Sequence, residues 1–197
     1  MAYFLQALVF LVQTLFGLYL IALVLRFLLQ ILRADFHSPI ARVLVTVTNP
    51  PLRPLRRLIP GYGGIDWALL VLTLLVQLLE LILIGLLLAG QIPPLSGLLI
   101  VALGRLLRLV IYIFMFVIII QVVLSWVNPH AYNAATRLIY NLSEPLLQPV
   151  RRLLPALGGI DLSPLVVIIG LNLLLILLAA PILDYGYSIS GPAAGWR

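Results

Sequence analysis

The sequence predicts an all-α membrane protein with four transmembrane helices, arranged as two tandem two-span repeats. Of its 197 residues, 63% are hydrophobic and only 9% are charged, whereas about a quarter of an ordinary soluble domain is charged. Four segments are apolar over about 20 residues, the length that crosses a hydrocarbon core of about 30 Å. A 19-residue segment also occurs twice, 95 residues apart. This composition excludes a water-soluble fold and a disordered chain.

The boundaries of the spans follow from polar and helix-breaking residues. Arg26 ends the first span or extends to the interface. Asp66 is placed to cap the second span, and Gly90 follows its end. Asn128-Pro129 stops the third span, and Ser163-Pro164 opens the fourth with a cap and a first-turn proline. The predicted spans are about 3–25, 67–89, 109–127 and 165–183.

The distribution of arginine predicts the orientation. All twelve basic residues are arginine, and the net charge is +6. The long connections, about 33–66 and 128–164, contain eight arginines, against three elsewhere outside the spans. The positive-inside rule therefore predicts cytoplasmic long connections and external termini. Residues 91–108, with Arg105 and Arg108, form either a surface helix or the start of a long third span.

The repeated segment divides the chain into two units, 1–90 and 91–197. Thr48 to Asp66 and Ser143 to Asp161 are identical at 11 of 19 positions without a gap. Because each unit has two spans, both copies enter the membrane in the same orientation, unlike the inverted repeats of many transporters. The motif consists of Pro50, Pro54, Arg56, Arg57, Pro60, Gly63, Gly64 and Asp66, repeated as Pro145, Pro149, Arg151, Arg152, Pro155, Gly158, Gly159 and Asp161.

Each copy of the motif predicts a basic element at the headgroup level. The prolines are expected to interrupt a long helix and leave a short, broken amphipathic element. The arginine pair would meet lipid phosphate, and the Gly-Gly pair would form a tight turn. A second amphipathic helix is predicted upstream, opening at Ser38-Pro39 in the first copy and Asn128-Pro129 in the second. A membrane anchor, a protein-docking surface and an anionic-ligand site are alternative interpretations.

These motifs resemble the YggT family, also called YlmG-like, of bacterial and plastid membrane proteins. The resemblance rests on Pro-x-x-x-Pro-x-Arg-Arg-x-x-Pro followed by Gly-Gly-Ile-Asp, and it covers nearly the whole chain. One departure is Asn49-Pro50-Pro51 where the second copy has Glu144-Pro145-Leu146. The resemblance implies a bacterial inner-membrane location and a role in cell division and envelope organisation, in osmotic tolerance or, in plastids, in cytochrome maturation, without a known chemistry.

Polar residues within the spans are a second set of candidates. Glu80 lies near the middle of the second span, where an ionisable group costs several kcal/mol. It is either a proton or cation site, or a protonated carboxyl that hydrogen-bonds between helices. Gln77 and its repeat equivalent Asn172 suggest packing contacts. An internal polar cluster is predicted from Thr73, Gln77, Glu80, Gln121, Ser125, Asn172, Gln13 and Thr14.

The remaining residues do not predict an enzyme, a metal site or a cofactor. The chain has no cysteine, and it has no Ser/His/Asp set, phosphate-binding glycine loop or HExxH motif. His37 and His130 are not equivalent in the repeat and are interpreted as interfacial residues. The net charge is assigned to topology rather than to nucleic acid.

The leading functional hypothesis is a non-enzymatic adaptor. Its basic loops would contact anionic lipid headgroups and dock a membrane or cell-division protein, and homo-oligomerisation is left open. The first alternative is a small ion or solute pathway, or an osmotic-stress protein, that uses Glu80. The second is an assembly factor for cofactor insertion into membrane cytochromes, which would require His37 and His130.

Overall fold

The computed structural model describes residues 2–32, 38–127, 133–153 and 161–190, and nearly all of these are helical. The only β pairing among them is an isolated bridge between Tyr62 and Ile65. In chain order the elements are α1 (Ala2–Ile31), α2 (Pro39–Leu58), α3 (Trp67–Ala89), α4 (Leu95–Val127), α5 (Ala134–Leu153), α6 (Ser163–Leu174), a π-helical turn (Leu175–Ala179) and α7 (Ala180–Ser190).

Four helical segments are long and apolar enough to cross a membrane, which confirms the predicted fold class. The segments are Tyr3–Ile31, Trp67–Ala89, Leu95–Val127 and Ser163–Ser190. The chain is therefore a multi-pass membrane protein. The first span is longer than predicted, because α1 continues beyond Arg26 to Ile31. The last span is also longer, and its π-helical turn comes just before Pro181, which has no N–H to donate.

Residues 95–108 belong to the third span, so the surface-helix alternative is wrong. The helix α4 has 33 residues, a length of roughly 50 Å. It contains both Arg105 and Arg108. A helix of this length exceeds the hydrocarbon core and must tilt or project from it.

The turn and cap residues of the first unit behave as predicted. Asp66 Oδ1 accepts a hydrogen bond of 3.2 Å from the N–H of Leu69 and so caps α3. Gly90 ends α3 with φ 65°. Gly63 and Gly64 have φ of 67° and 79°, a region that glycine adopts at little cost.

The cap of the fourth span differs from the prediction. Ser163 is the first helical residue of α6, not its cap. Its N–H donates a 2.9 Å hydrogen bond to Oδ1 of Asp161. The motif aspartate therefore satisfies a free backbone donor at the start of the second span in both units.

The prolines do not break the amphipathic element, and this prediction is wrong. The helix α2 runs through Pro50, Pro51 and Pro54, and α5 runs through Pro145 and Pro149. The carbonyls that lose their i+4 donors belong to Thr46, Val47, Pro50, Asn141 and Pro145, all on exposed positions. There, water or headgroups can solvate them, so the predicted short element and the helix upstream of it are one helix. Pro60, by contrast, follows the end of α2, as expected for a residue that cannot continue a helix.

The two units place their cores at equivalent positions. Leu23, Leu52 and Leu72 pack together where α1, α2 and α3 meet. Their equivalents 95 residues later, Ile118, Leu147 and Val167, pack together where α4, α5 and α6 meet. In each unit the amphipathic helix thus packs on both spans. The helices α2 and α5 also contact each other, which places the two basic elements at the same end of the bundle.

Candidate functional site

The candidate site is the basic surface formed by α2 and α5. On α2, the residues that pack inward are Ala41, Thr48 and Leu52. A second, exposed apolar stripe recurs every three or four residues through Ile40, Val43, Val47, Pro50, Pro54 and Leu58. This stripe, next to a face with four arginines, is the pattern of a helix lying in the membrane interface.

One arginine of the first motif is bound to the motif aspartate. Arg56 Nε donates a 3.0 Å hydrogen bond to Oδ2 of Asp66, and Nη2 contacts the same oxygen. The Asp66 side chain is 7% exposed and that of Arg56 44%. Asp66 therefore joins the end of α2 to the start of α3 across the Gly63-Gly64 turn.

The second motif repeats this contact with one addition. Arg151 Nε donates a 2.8 Å hydrogen bond to Asp161 Oδ2, and Nη1 donates a 2.9 Å bond to Glu144 Oε2. In the first unit the residue equivalent to Glu144 is Asn49. We refer to the Arg56–Asp66 and Arg151–Asp161 contacts as the two motif clamps.

The second clamp shifts the pKa values of both its members. Burial lowers the pKa of Arg151, but hydrogen bonds and charges from Asp161 and Glu144 outweigh it and raise the pKa above its usual value. Burial raises the pKa of Asp161, but hydrogen bonds from Ser163 and Arg151 and the charge of Arg151 outweigh it and lower the pKa. The clamp therefore stabilises the fold above the unfolded-state pKa of the aspartate, and this contribution is lost as the pH falls through the lowered pKa.

The second arginine of each pair is free of the clamp. Arg57 and Arg152 are exposed, and neither has a hydrogen bond or ion pair to another residue in the described ranges. In each pair, therefore, one arginine joins two helices and the other faces outward. The sequence motif alone does not distinguish the two.

We expect Asp66→Asn to separate the clamp from the helix cap. Asparagine also caps helices, so this variant removes the ion pair alone and should cost about 1 kcal/mol, since the arginine is nearly half exposed. Asp66→Ala removes the cap as well and should cost about 1 kcal/mol more. Thermal unfolding in detergent measures both losses, and equal stability of the two variants would contradict the assignment of two separate roles.

Arg26 is a buried anchor that the sequence interpretation missed. It is 5% exposed, so it neither ends the first span nor extends into the interface. Its guanidinium donates hydrogen bonds to Thr48 Oγ1, to Asn49 Oδ1 at 3.0 Å and to the Val45 carbonyl at 3.5 Å. Arg26 therefore ties α2 to α1. The repeat alignment contained the signal, because Arg26 is equivalent to Gln121, another polar residue in an apolar span.

The polar candidates within the spans do not converge on one site. Gln77 Nε2 donates a 2.7 Å hydrogen bond to Glu80 Oε2. Arg105 Nη1 of α4 lies 3.5 Å from Glu80 Oε1. Glu80 thus has a guanidinium partner between α3 and α4, which the sequence interpretation did not include. The role of Glu80 in an ion or proton pathway stays a prediction.

The other members of the predicted cluster lie elsewhere. Gln121 is buried on α4 but lies several helical turns from Arg105. Thr73 donates to the Leu69 carbonyl in its own helix. Asn172 is exposed and donates to the Ile168 carbonyl, so it does not match the buried environment of Gln77. Gln13, Thr14 and Ser125 are also exposed. The prediction of a single polar cluster is therefore wrong.

Several sequence candidates lie outside the described residues. These are His37, Asn128-Pro129, His130, Pro155, Gly158 and Gly159. Within the described residues, no group of three or more histidine, aspartate and glutamate side chains is placed to hold a metal ion.

Comparisons with known proteins identify the family. Residues 5–87 and 100–182 match the model of the CCB3/YggT family. A Pseudomonas aeruginosa protein is 46% identical over 169 residues, which cover 85% of this chain and 86% of that protein. The YggT protein of Escherichia coli K12 is 34% identical over 165 residues, covering 83% and 85% of the two chains. No solved structure matches the chain. The chain belongs to the CCB3/YggT family and contains two tandem copies of its segment.

Proposed function

We propose that the protein is a non-enzymatic membrane adaptor whose exposed arginines, Arg57 and Arg152, bind anionic headgroups and an acidic segment of a membrane-associated protein. The observation that supports this is that the two arginines of the motif have different contacts, and that both units repeat this difference. In both units the first arginine is bound to aspartate, and the second is exposed without a partner in the described part of the chain. A pair that served only to join helices would not need the second charge.

The geometry of α2 supports a surface role at the bilayer. Its inner face is held against α1 and α3, and its apolar stripe is left to contact lipid. The arginine face then lies beside the headgroups, where a guanidinium forms two-pronged hydrogen bonds with phosphate or carboxylate. The helices α2 and α5 contact each other in the cluster that contains Ala41 and Leu142, so both basic helices lie at the same end of the bundle.

We place these basic helices on the cytoplasmic side of an inner membrane. The sequence count of arginines favours that side, and the structure removes one of its counterarguments. Arg105 pairs with Glu80 inside the bundle, so its charge does not oppose the rule as a free loop charge would.

The test is photocrosslinking in living cells with a photoreactive residue at Val150, beside the second arginine pair. We expect a discrete protein adduct that is lost in the double variant Arg57→Gln/Arg152→Gln. The matched control is Arg42→Gln/Arg53→Gln, which removes the same number of exposed charges from α2, and it should retain the adduct. Protein level and thermal stability should match the wild type in both variants.

Two outcomes would overturn the adaptor. Capture of lipid alone would reduce the arginines to a membrane anchor. Equal loss of the adduct in both double variants would show that net charge, rather than the motif arginines, governs binding.

A further inference from the structure

The second unit contains a cavity where α4, α5 and the start of α6 meet. Its volume is about 720 Å³. The polar and aromatic residues that line it are Gln121, Ser125, Trp126, Tyr140, Arg151 and Asp161. The cavity is separate from the exposed arginines of the proposed adaptor surface.

The first unit shows what occupies the corresponding place. Gln121 is equivalent to Arg26, whose guanidinium on α1 donates hydrogen bonds to α2. Its three acceptors are contributed by Val45, Thr48 and Asn49. The equivalent positions in the second unit are Tyr140, Ser143 and Glu144. The second unit thus replaces an arginine with a shorter, neutral side chain and replaces Asn49 with a carboxylate.

The chemistry around the cavity favours a cation. Gln121 is 4% exposed, and its Oε1 has no hydrogen-bond partner among the described residues. A buried acceptor without a donor costs free energy that a ligand donor would recover. Arg151 of the cavity lining is bound to two carboxylates, Asp161 of the lining and Glu144 beyond it, so these three side chains together carry one negative charge in excess. That excess disfavours an anion, and the lining includes Trp126, an aromatic residue type that attracts cations.

We propose that this cavity binds a guanidinium or primary ammonium group, the group that Arg26 supplies covalently in the first unit. The group belongs either to a free guanidino or amino solute or to an arginine or lysine side chain of a partner protein. Both sources present the same donors to Gln121 and to the carboxylate side of the cavity.

The proposal is tested by thermal unfolding of the purified full chain in detergent with low-millimolar guanidinium, against potassium at equal ionic strength. We expect guanidinium to raise the unfolding temperature by about 2–4 °C, as occupancy of a native-state site requires. Gln121→Arg should raise the unfolding temperature by itself and abolish the response. If Gln121→Arg does not fold, Gln121→Leu, which removes the acceptor without adding charge, should still lose the response.

The first unit provides a matched test. Arg26→Gln removes the covalent guanidinium and should be destabilised, and added guanidinium should restore part of the loss. No stabilisation of the wild type beyond that with potassium, or an undiminished response in Gln121→Arg and Gln121→Leu, would overturn the proposal.

A second arm identifies the source of the bound group. A photoreactive residue at Ser125 is used in living cells. A protein adduct that disappears in Gln121→Arg assigns the group to a partner side chain, whereas its absence assigns the group to a free solute.

Discussion

Replacing Glu80 with leucine is expected to lower the free energy of unfolding by about 3–5 kcal/mol, because it leaves Arg105 buried without its charged partner. Glu80 is 6% exposed and the Arg105 side chain 12%, so water cannot substitute for the lost contact. A loss of this size corresponds to about 6–20 °C in unfolding temperature for a chain of this length. Arg105→Leu should cost less, since a glutamate left alone can take up a proton whereas an arginine keeps its charge.

The double variant Glu80→Leu/Arg105→Leu separates stability from function. It should recover most of the loss, because a buried ion pair replaced by apolar residues is often neutral or stabilising. Thermal unfolding of the wild type, both single variants and the double variant completes the cycle. A stable double variant that retains cellular function would exclude Glu80 as part of an ion or proton pathway. If the loss in the double variant equals the sum of the losses in the two single variants, the pairing of Glu80 with Arg105 is contradicted.

The features that depend on composition and local chemistry could be predicted from the sequence. Four spans follow from the cost of exposing apolar side chains to water, and this holds whatever their packing. Asp66 as a cap and Gly63-Gly64 as a turn also depend only on neighbouring backbone groups. The repeat at an offset of 95 correctly predicted that the two units have equivalent elements.

The errors concern residues whose role is set by a partner distant in sequence. Pro50 and Pro54 leave backbone carbonyls without N–H donors, which excludes a helix that is buried on that face. They are compatible with a helix whose unpaired carbonyls face outward, and only the packing of α2 shows which face is outward. Arg26 and Arg105 appeared to be interfacial or topological charges, because sequence does not show that Thr48, Asn49 and Glu80 come within hydrogen-bonding or ion-pair distance. The division between Arg56 and Arg57 likewise depends on where Asp66 lies after the turn.

The glycines of the last span are a further case in which only the packing shows what a residue does. Substitution of one of them, Gly186, is the second change for which we expect a large loss of stability. A Cβ added to Gly186 of α7 would lie 2.7 Å from Val101 Cγ2 and 3.0 Å from the Val101 backbone nitrogen of α4. A Cβ added to Gly170 of α6 would meet nothing within 4 Å. Both glycines lie in the same membrane span, so they form a matched pair for substitution.

Gly186→Leu is expected to cost about 3 kcal/mol or more, whereas Gly170→Leu should change stability by less than about 1 kcal/mol. Small residues let helix backbones approach closely within a membrane, and a leucine at Gly186 must push α7 away from α4, since a backbone atom cannot move aside as a side chain can. Unfolding temperatures in detergent should then differ between the two variants by about 6–12 °C.

Val101→Ala, which removes the nearest methyl group, should recover part of the loss in Gly186→Leu but leave the contact with the backbone nitrogen. Equal stability of Gly186→Leu and Gly170→Leu would show that α4 and α7 are not in close contact, and complete recovery by Val101→Ala would show that their backbones lie further apart than the structure has them.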